Sequence, residues 1–116
     1  MNIDDIYYQL VKKGQKVHEY RLNDEKRQKI NPDDDILLVN NSDLNETFLV
    51  KVISKTIFPN WEEALKDTYQ DDFYGLYDNL AEAIEACNKF YSKENVEKYG
   101  IVVFKLKDYR SSPESC

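Results

Sequence analysis

The segment Gly14-Gln15-Lys16-Val17-His18-Glu19-Tyr20-Arg21 places two cations and a carboxylate within six residues, just after a glycine. These residue types can do chemistry together. A lysine beside a carboxylate in a pocket can be tuned for proton transfer or nucleophilic attack. An arginine fork can hold a phosphate or carboxylate through two parallel bonds. The spacing leaves two readings open. In a regular strand Val17, Glu19 and Arg21 share one face, while Lys16, His18 and Tyr20 share the other. Lys16 joins Glu19 and Arg21 only if the chain is still turning at Lys16, which Gly14 permits. If the three converge, they line a polar cleft for an anionic or base-like ligand. If they diverge, they form a structural ion-pair network on a charged strand edge.

Other chemistries lack their residues. His18 is the single histidine, and with two distant cysteines it cannot supply the three or four ligands of a zinc site. Three glycines do not make a glycine-rich phosphate loop. There is no nucleophile elbow, and no serine is placed for a triad with His18. The run Asp33-Asp34-Asp35 reads as a cation site or as a solvated turn. No cofactor is expected. No apolar run approaches the ~20 residues of a membrane span. The acidic start Met1-Asn2-Ile3-Asp4-Asp5 lacks the apolar region of a signal peptide. Cys87 and Cys116 are too few for a disulfide scaffold and read as free thiols in a reducing cytoplasm.

The net charge of −6 argues against tight binding to a long polyanion. It hides an asymmetry. Between Lys12 and Ile30 seven basic residues face three acids, a local +4, while the rest of the chain carries −10. The motif thus lies in a basic segment of an acidic protein. That segment is either a local attractor for anions or a solvated surface.

The elements that must position the motif follow from periodicity. At 116 residues, with 41% hydrophobic residues, the chain reads as one domain with a real core. Ile3, Ile6, Tyr7, Leu10 and Val11 mark an amphipathic helix that Gly14 stops. Lys16 to Leu22 alternates as a strand. Asn23-Asp24 caps a helical turn over Glu25–Lys29, and Asn31 to Asp34 turns the chain. Glu46 to Ile57 reads as a strand after the polar turn Asn40–Asn45, and Ile36–Val39 and Phe48–Ile57 make a hairpin. A short helix over Trp61–Lys66 follows, then an acidic, tyrosine-rich loop over Asp67–Asn79. Leu80 to Tyr91 is the next helix, and Ser92 caps another over Lys93–Lys98. Gly100 precedes a last strand, Ile101–Leu106. The fold class is α+β, a small mixed β-barrel flanked by helices, over residues 1–107. Residues 108–116 form a polar tail expected to fray.

The motif and its surroundings resemble the ASCH domain family, a branch of the PUA-like fold. The resemblance rests on Gly14 to Leu22, on Asn23 to Ile30, and on Asp34 before the strand Ile36–Val39. It continues through Phe48–Ile57, Phe58-Pro59-Asn60-Trp61-Glu62, Phe90-Tyr91-Ser92-Lys93-Glu94 and Lys98-Tyr99-Gly100-Ile101-Val102-Val103-Phe104. It spans roughly Ile3 to Leu106, and implies a cleft where the motif residues meet. Family members are thought to bind RNA or nucleotide-like ligands, so the implied partner is a nucleoside, a nucleotide or short single-stranded RNA. The implied ligand-binding residues are Lys16, Glu19, Arg21, Tyr91 and Ser92. Tyr91 also reads as a core aromatic, and Ser92 as a helix cap.

One branch hydrolyses N-acylated cytidines with a motif lysine, a threonine and a separate glutamate; another has ribonuclease activity. The lysine maps to Lys16, which would be catalytic if the chain is an enzyme. The threonine position is held by Glu19, and the separate glutamate has no match. A third reading is a protein-interaction domain using the acidic face around Asp67–Asp78. Two further departures stand out. The family's first strand has no counterpart before the first helix, which leaves an open barrel edge that invites a homodimer or is covered by the acidic loop or the tail. Asp33 stands where the family favours glycine.

Overall fold

The computed structural model describes residues 1–14, 17–68 and 77–108. The expected 108–116 tail lies outside them apart from Asp108, as does the greater part of the Asp67–Asn79 loop. Five strands curl into a half-barrel sheet: β1 (Asn2–Ile3), β2 (His18–Leu22), β3 (Asp35–Asn40), β4 (Asp43–Phe58) and β5 (Ile101–Asp108). Their order is β1-β3-β4-β5-β2. β1 runs parallel to β3, and the other pairs are antiparallel. The sheet is therefore mixed. Among the described residues five helices flank it: α1 (Asp5–Lys12), α2 (Glu25–Gln28), α3 (Trp61–Lys66), α4 (Leu80–Asn88) and α5 (Lys93–Tyr99).

Four of these helices start where a side chain satisfies a free N–H group of the first turn, while Asp4 ahead of α1 makes no such bond. Asp24 accepts from the Arg27 N–H at 3.1 Å, Asn60 from Glu63 at 2.9 Å, Asn79 from Glu82 at 2.9 Å and Ser92 from Asn95 at 3.1 Å. The last of these caps explains why α4 ends at Asn88 and not at Tyr91. Ser92 must be extended to cap α5, so the preceding helix stops first. Tyr91 is thereby freed from helical geometry.

The expected loss of the first strand is corrected. Asn2 and Ile3 pair with Val39 and Asn40. Ile3 shares the spacing of the α1 stripe, but its backbone is extended and its side chain is buried. The edge on which a homodimer was expected is capped at these two positions.

Strand β5 is apolar on both faces. Ile101 and Val103 pack with Tyr20, Leu22, Trp61 and the α3–α4 helices. Val102, Phe104 and Leu106 pack inside the half-barrel with Ile3, Tyr8, Leu38 and Val50. Tyr7 touches both groups, so α1 marks the seam between the two cores. Strand β4 serves both as well. A bulge between Val52 and Ser54 breaks its alternation, and Phe58 beyond it packs on the α3–α4 side.

Gly100 fixes the turn from α5 into β5. Its φ is +76°, and an added Cβ would lie 2.8 Å from the Phe58 carbonyl oxygen. Gly14 has the same φ but nothing within 4 Å. In urea unfolding Gly14→Ala is expected to cost about 1 kcal/mol, the left-handed penalty alone. Gly100→Ala should cost about 3 kcal/mol. Equal losses would show that the close approach to Phe58 is immaterial.

Candidate functional site

Glu19 and Arg21 stand two residues apart on β2, and so share a face. Glu19 is 6% exposed. The Arg21 Nε and Nη2 donate to the same Glu19 oxygen, Oε2, at 2.9 and 2.7 Å. Nη2 also donates to the Asn2 carbonyl oxygen at 2.6 Å. One guanidinium thus neutralises a buried carboxylate and ties β2 to β1, the two edges of the sheet. Burial is the largest influence on Arg21 and disfavours its charge. The Glu19 carboxylate, with a smaller contribution from Tyr91, outweighs it and holds the pKa above the ordinary arginine value.

The pair forms part of the wall of a cleft of about 210 Å³ that also includes Tyr7, Trp61, Phe90 and Tyr91 among its lining. Each wall comes from a different element: β2 supplies the charges, α1 supplies Tyr7, α3 supplies Trp61, and the α4–α5 connection supplies Phe90 and Tyr91. The Trp61 and Tyr91 rings are nearly parallel, 11° apart, with centroids separated by 6.3 Å. Trp61 is 3% exposed, and its Nε1 has no hydrogen-bond partner. The Tyr7 hydroxyl lies 3.0 Å from that of Tyr77. Burial first, and then this contact, push the Tyr7 pKa upward, so the phenol stays neutral through the physiological range. Phe90 is 54% exposed and forms the rim.

Of the residues selected from sequence, Glu19, Arg21 and Tyr91 line this one cleft. Ser92 is exposed, and its Oγ accepts the Asn95 N–H. Lys16 lies outside the described residues. Tyr7, Trp61 and Phe90 were not singled out. Tyr7 belongs to the apolar stripe of α1, and only the two-core arrangement shows that it borders a cleft. Around the Asp33–Asp35 run, Asp34 accepts the Asn31 N–H at 2.8 Å and Asp35 lies 3.9 Å from the Lys51 Nζ. Among the described residues no group of three or more His, Cys, Asp or Glu side chains could hold a metal ion. Among the described residues no helix is long and apolar enough to cross a membrane.

The family model of the ASCH domain matches residues 1–110. The crystal structure of hypothetical protein PH0355 matches with a TM-score of 0.79 at 28% identity, over 93% of this chain and 95% of that one. The solution structure of protein PF0455 from Pyrococcus furiosus matches with a TM-score of 0.69 at 24% identity, over 94% and 98%. This second likeness is one of fold. No curated protein matches the sequence.

The ion pair makes a specific demand on stability. Removing one partner strands the other charge in a poorly solvated place, at about 3 kcal/mol. Glu19→Gln and Arg21→Met are each expected to destabilise by that amount in chemical denaturation. The double variant should lose clearly less than the sum of the two. Additive losses would mean that the two side chains act independently.

Proposed function

Since the chain belongs to the ASCH domain family, whose PUA-like fold generally binds RNA, we propose that it is an RNA- or nucleotide-binding protein whose cleft takes one nucleobase against Tyr91 and Trp61. The observation that carries this reading is a buried, ion-paired carboxylate set among aromatic rings. Aromatic faces stack on any base. Glu19 offers a carboxylate acceptor for a base amino group, and Arg21 offers guanidinium donors for a carbonyl or phosphate oxygen. The unpartnered indole N–H of Trp61 carries a desolvation penalty of about 1–3 kcal/mol. An acceptor on a ligand would offset it once the surrounding side chains shift to admit that ligand.

Size narrows the ligand. Pockets that enclose drug-sized molecules run from roughly 300 to 1,000 Å³. At about 210 Å³ the cleft suits one base or nucleoside, and the rest of a strand would lie outside it.

Calorimetric titration with the four ribonucleosides at low salt tests the assignment. At least one base should bind, and Tyr91→Ala should weaken it roughly ten-fold, within the range of a lost base stack. Circular dichroism should show the variant folded. A folded Tyr91→Ala protein that binds as tightly as the wild type would place the site elsewhere.

A further inference from the structure

A second depression adjoins the aromatic cleft. Its volume is about 530 Å³, and Met1, Asn2, Arg21, Lys26, Arg27 and Asp35 are among the residues lining it. Asn2 and Arg21 line both cavities, so the Arg21 side chain is their common wall. Three of the groove's side chains are cations and one is an acid. The compensating charges are specific. Arg21 is matched by Glu19, and Arg27 by Asp24, whose Oδ2 lies 3.3 Å from Nη1. Asp35, the groove's acid, has its Oδ1 3.9 Å from the Lys51 Nζ. Lys26 is exposed and makes no ion pair among the described residues. The buried Nε of Arg27 has no partner. The groove therefore holds positive charge that the fold has not used.

From this juxtaposition we infer that the groove is a phosphate site. With a base in the aromatic cleft, Arg21, Lys26 and Arg27 take the phosphate or the next backbone phosphates of the same ligand. This rests on the nucleobase reading of the adjoining cleft and extends it: the preferred ligand is a nucleoside phosphate or a strand end, not a free nucleoside. The electrostatics agree. Burial first, and then the charges of Arg21, Lys26 and Arg27, push the Met1 amino group below its ordinary pKa. Three separate cations thus act at one point beside the groove. The chain's net charge of −6 opposes anions at long range, so the attraction is local and falls steeply with salt.

The test compares each ribonucleoside with its 5′-monophosphate, alongside inorganic pyrophosphate, by calorimetry at several salt concentrations. The monophosphates should bind roughly ten-fold tighter than the nucleosides, as expected for hydrogen bonds to charged groups. In Lys26→Ala that advantage should shrink while nucleoside affinity stays the same. The salt dependence of monophosphate binding should become shallower, because one screened charge–charge attraction is lost. Because Lys26 is exposed on α2, the variant should fold normally. Nucleosides that bind without any gain from a phosphate would overturn the groove and leave the cleft assignment standing. Pyrophosphate binding that weakens in Lys26→Ala, with no nucleoside binding, would support the groove and overturn the cleft. A phosphate gain unchanged in Lys26→Ala and in Arg27→Lys would also overturn the groove.

Discussion

The contact between Arg21 and the Asn2 carbonyl oxygen governs how the two ends of the sheet stand to each other. A five-stranded sheet that curls without closing leaves two edges facing one another. Here one guanidinium spans them, at 2.6 Å to Asn2 and 2.7 Å to Glu19. A neutral side chain could bridge the gap, but it would leave Glu19 buried without a counter-charge, which is strongly unfavourable. The cleft exists because the edges are held at this separation and not fused by a full strand ladder. The same bond therefore sets the barrel geometry and the spacing of the cleft walls.

Around that bond the two cores divide the labour. The inner face of β5 fills the half-barrel with Val102, Phe104 and Leu106, and the outer face seats Ile101 and Val103 against the helices. Neither core includes the charged pair, which sits at the seam where Tyr7 meets both. This arrangement explains the mixed chemistry of the cleft. Its aromatic walls are the margins of two hydrophobic cores, and its polar floor is the strip that neither core covers. A cleft at a seam takes its walls from both cores.

Much of this was legible in the sequence because periodicity and capping are local. Asp24 and Ser92 are acceptors just ahead of helical segments, and both cap helices as their positions suggest. Gly100 stands where a helix must give way to a strand. Asp33 stands where the family resemblance implies a glycine, and it adopts φ +74°. Aspartate tolerates that region better than most residues. The family's general architecture followed from such marks taken together. What escaped was non-local. Ile3 fits a helical stripe by spacing, and only its pairing with β3, where its carbonyl accepts the Asn41 N–H at 2.9 Å, makes it a strand residue. Alternation put Glu19 and Arg21 on one face, but nothing in it says that Arg21 reaches a carbonyl on a distant segment. Trp61 and Tyr7 read as ordinary core residues, because whether an aromatic ring faces a core or a cleft depends on the elements that stop beside it.

The pairing of β2 with β5 carries a consequence for the birth of the molecule. Glu19 lies opposite Phe104 and Arg21 opposite Val102, so one of the earliest strands to be synthesised waits for the last. Non-local ladders of this kind form slowly, because loop closure precedes any gain from contact. During translation the β3–β4 hairpin can assemble while the motif strand still lacks its neighbour. The charged pair then remains hydrated on a nascent chain until β5 leaves the ribosome and displaces that water. The cleft is thus a late product of biosynthesis: a chain truncated before Ile101 would carry every one of its named residues and still present no cleft.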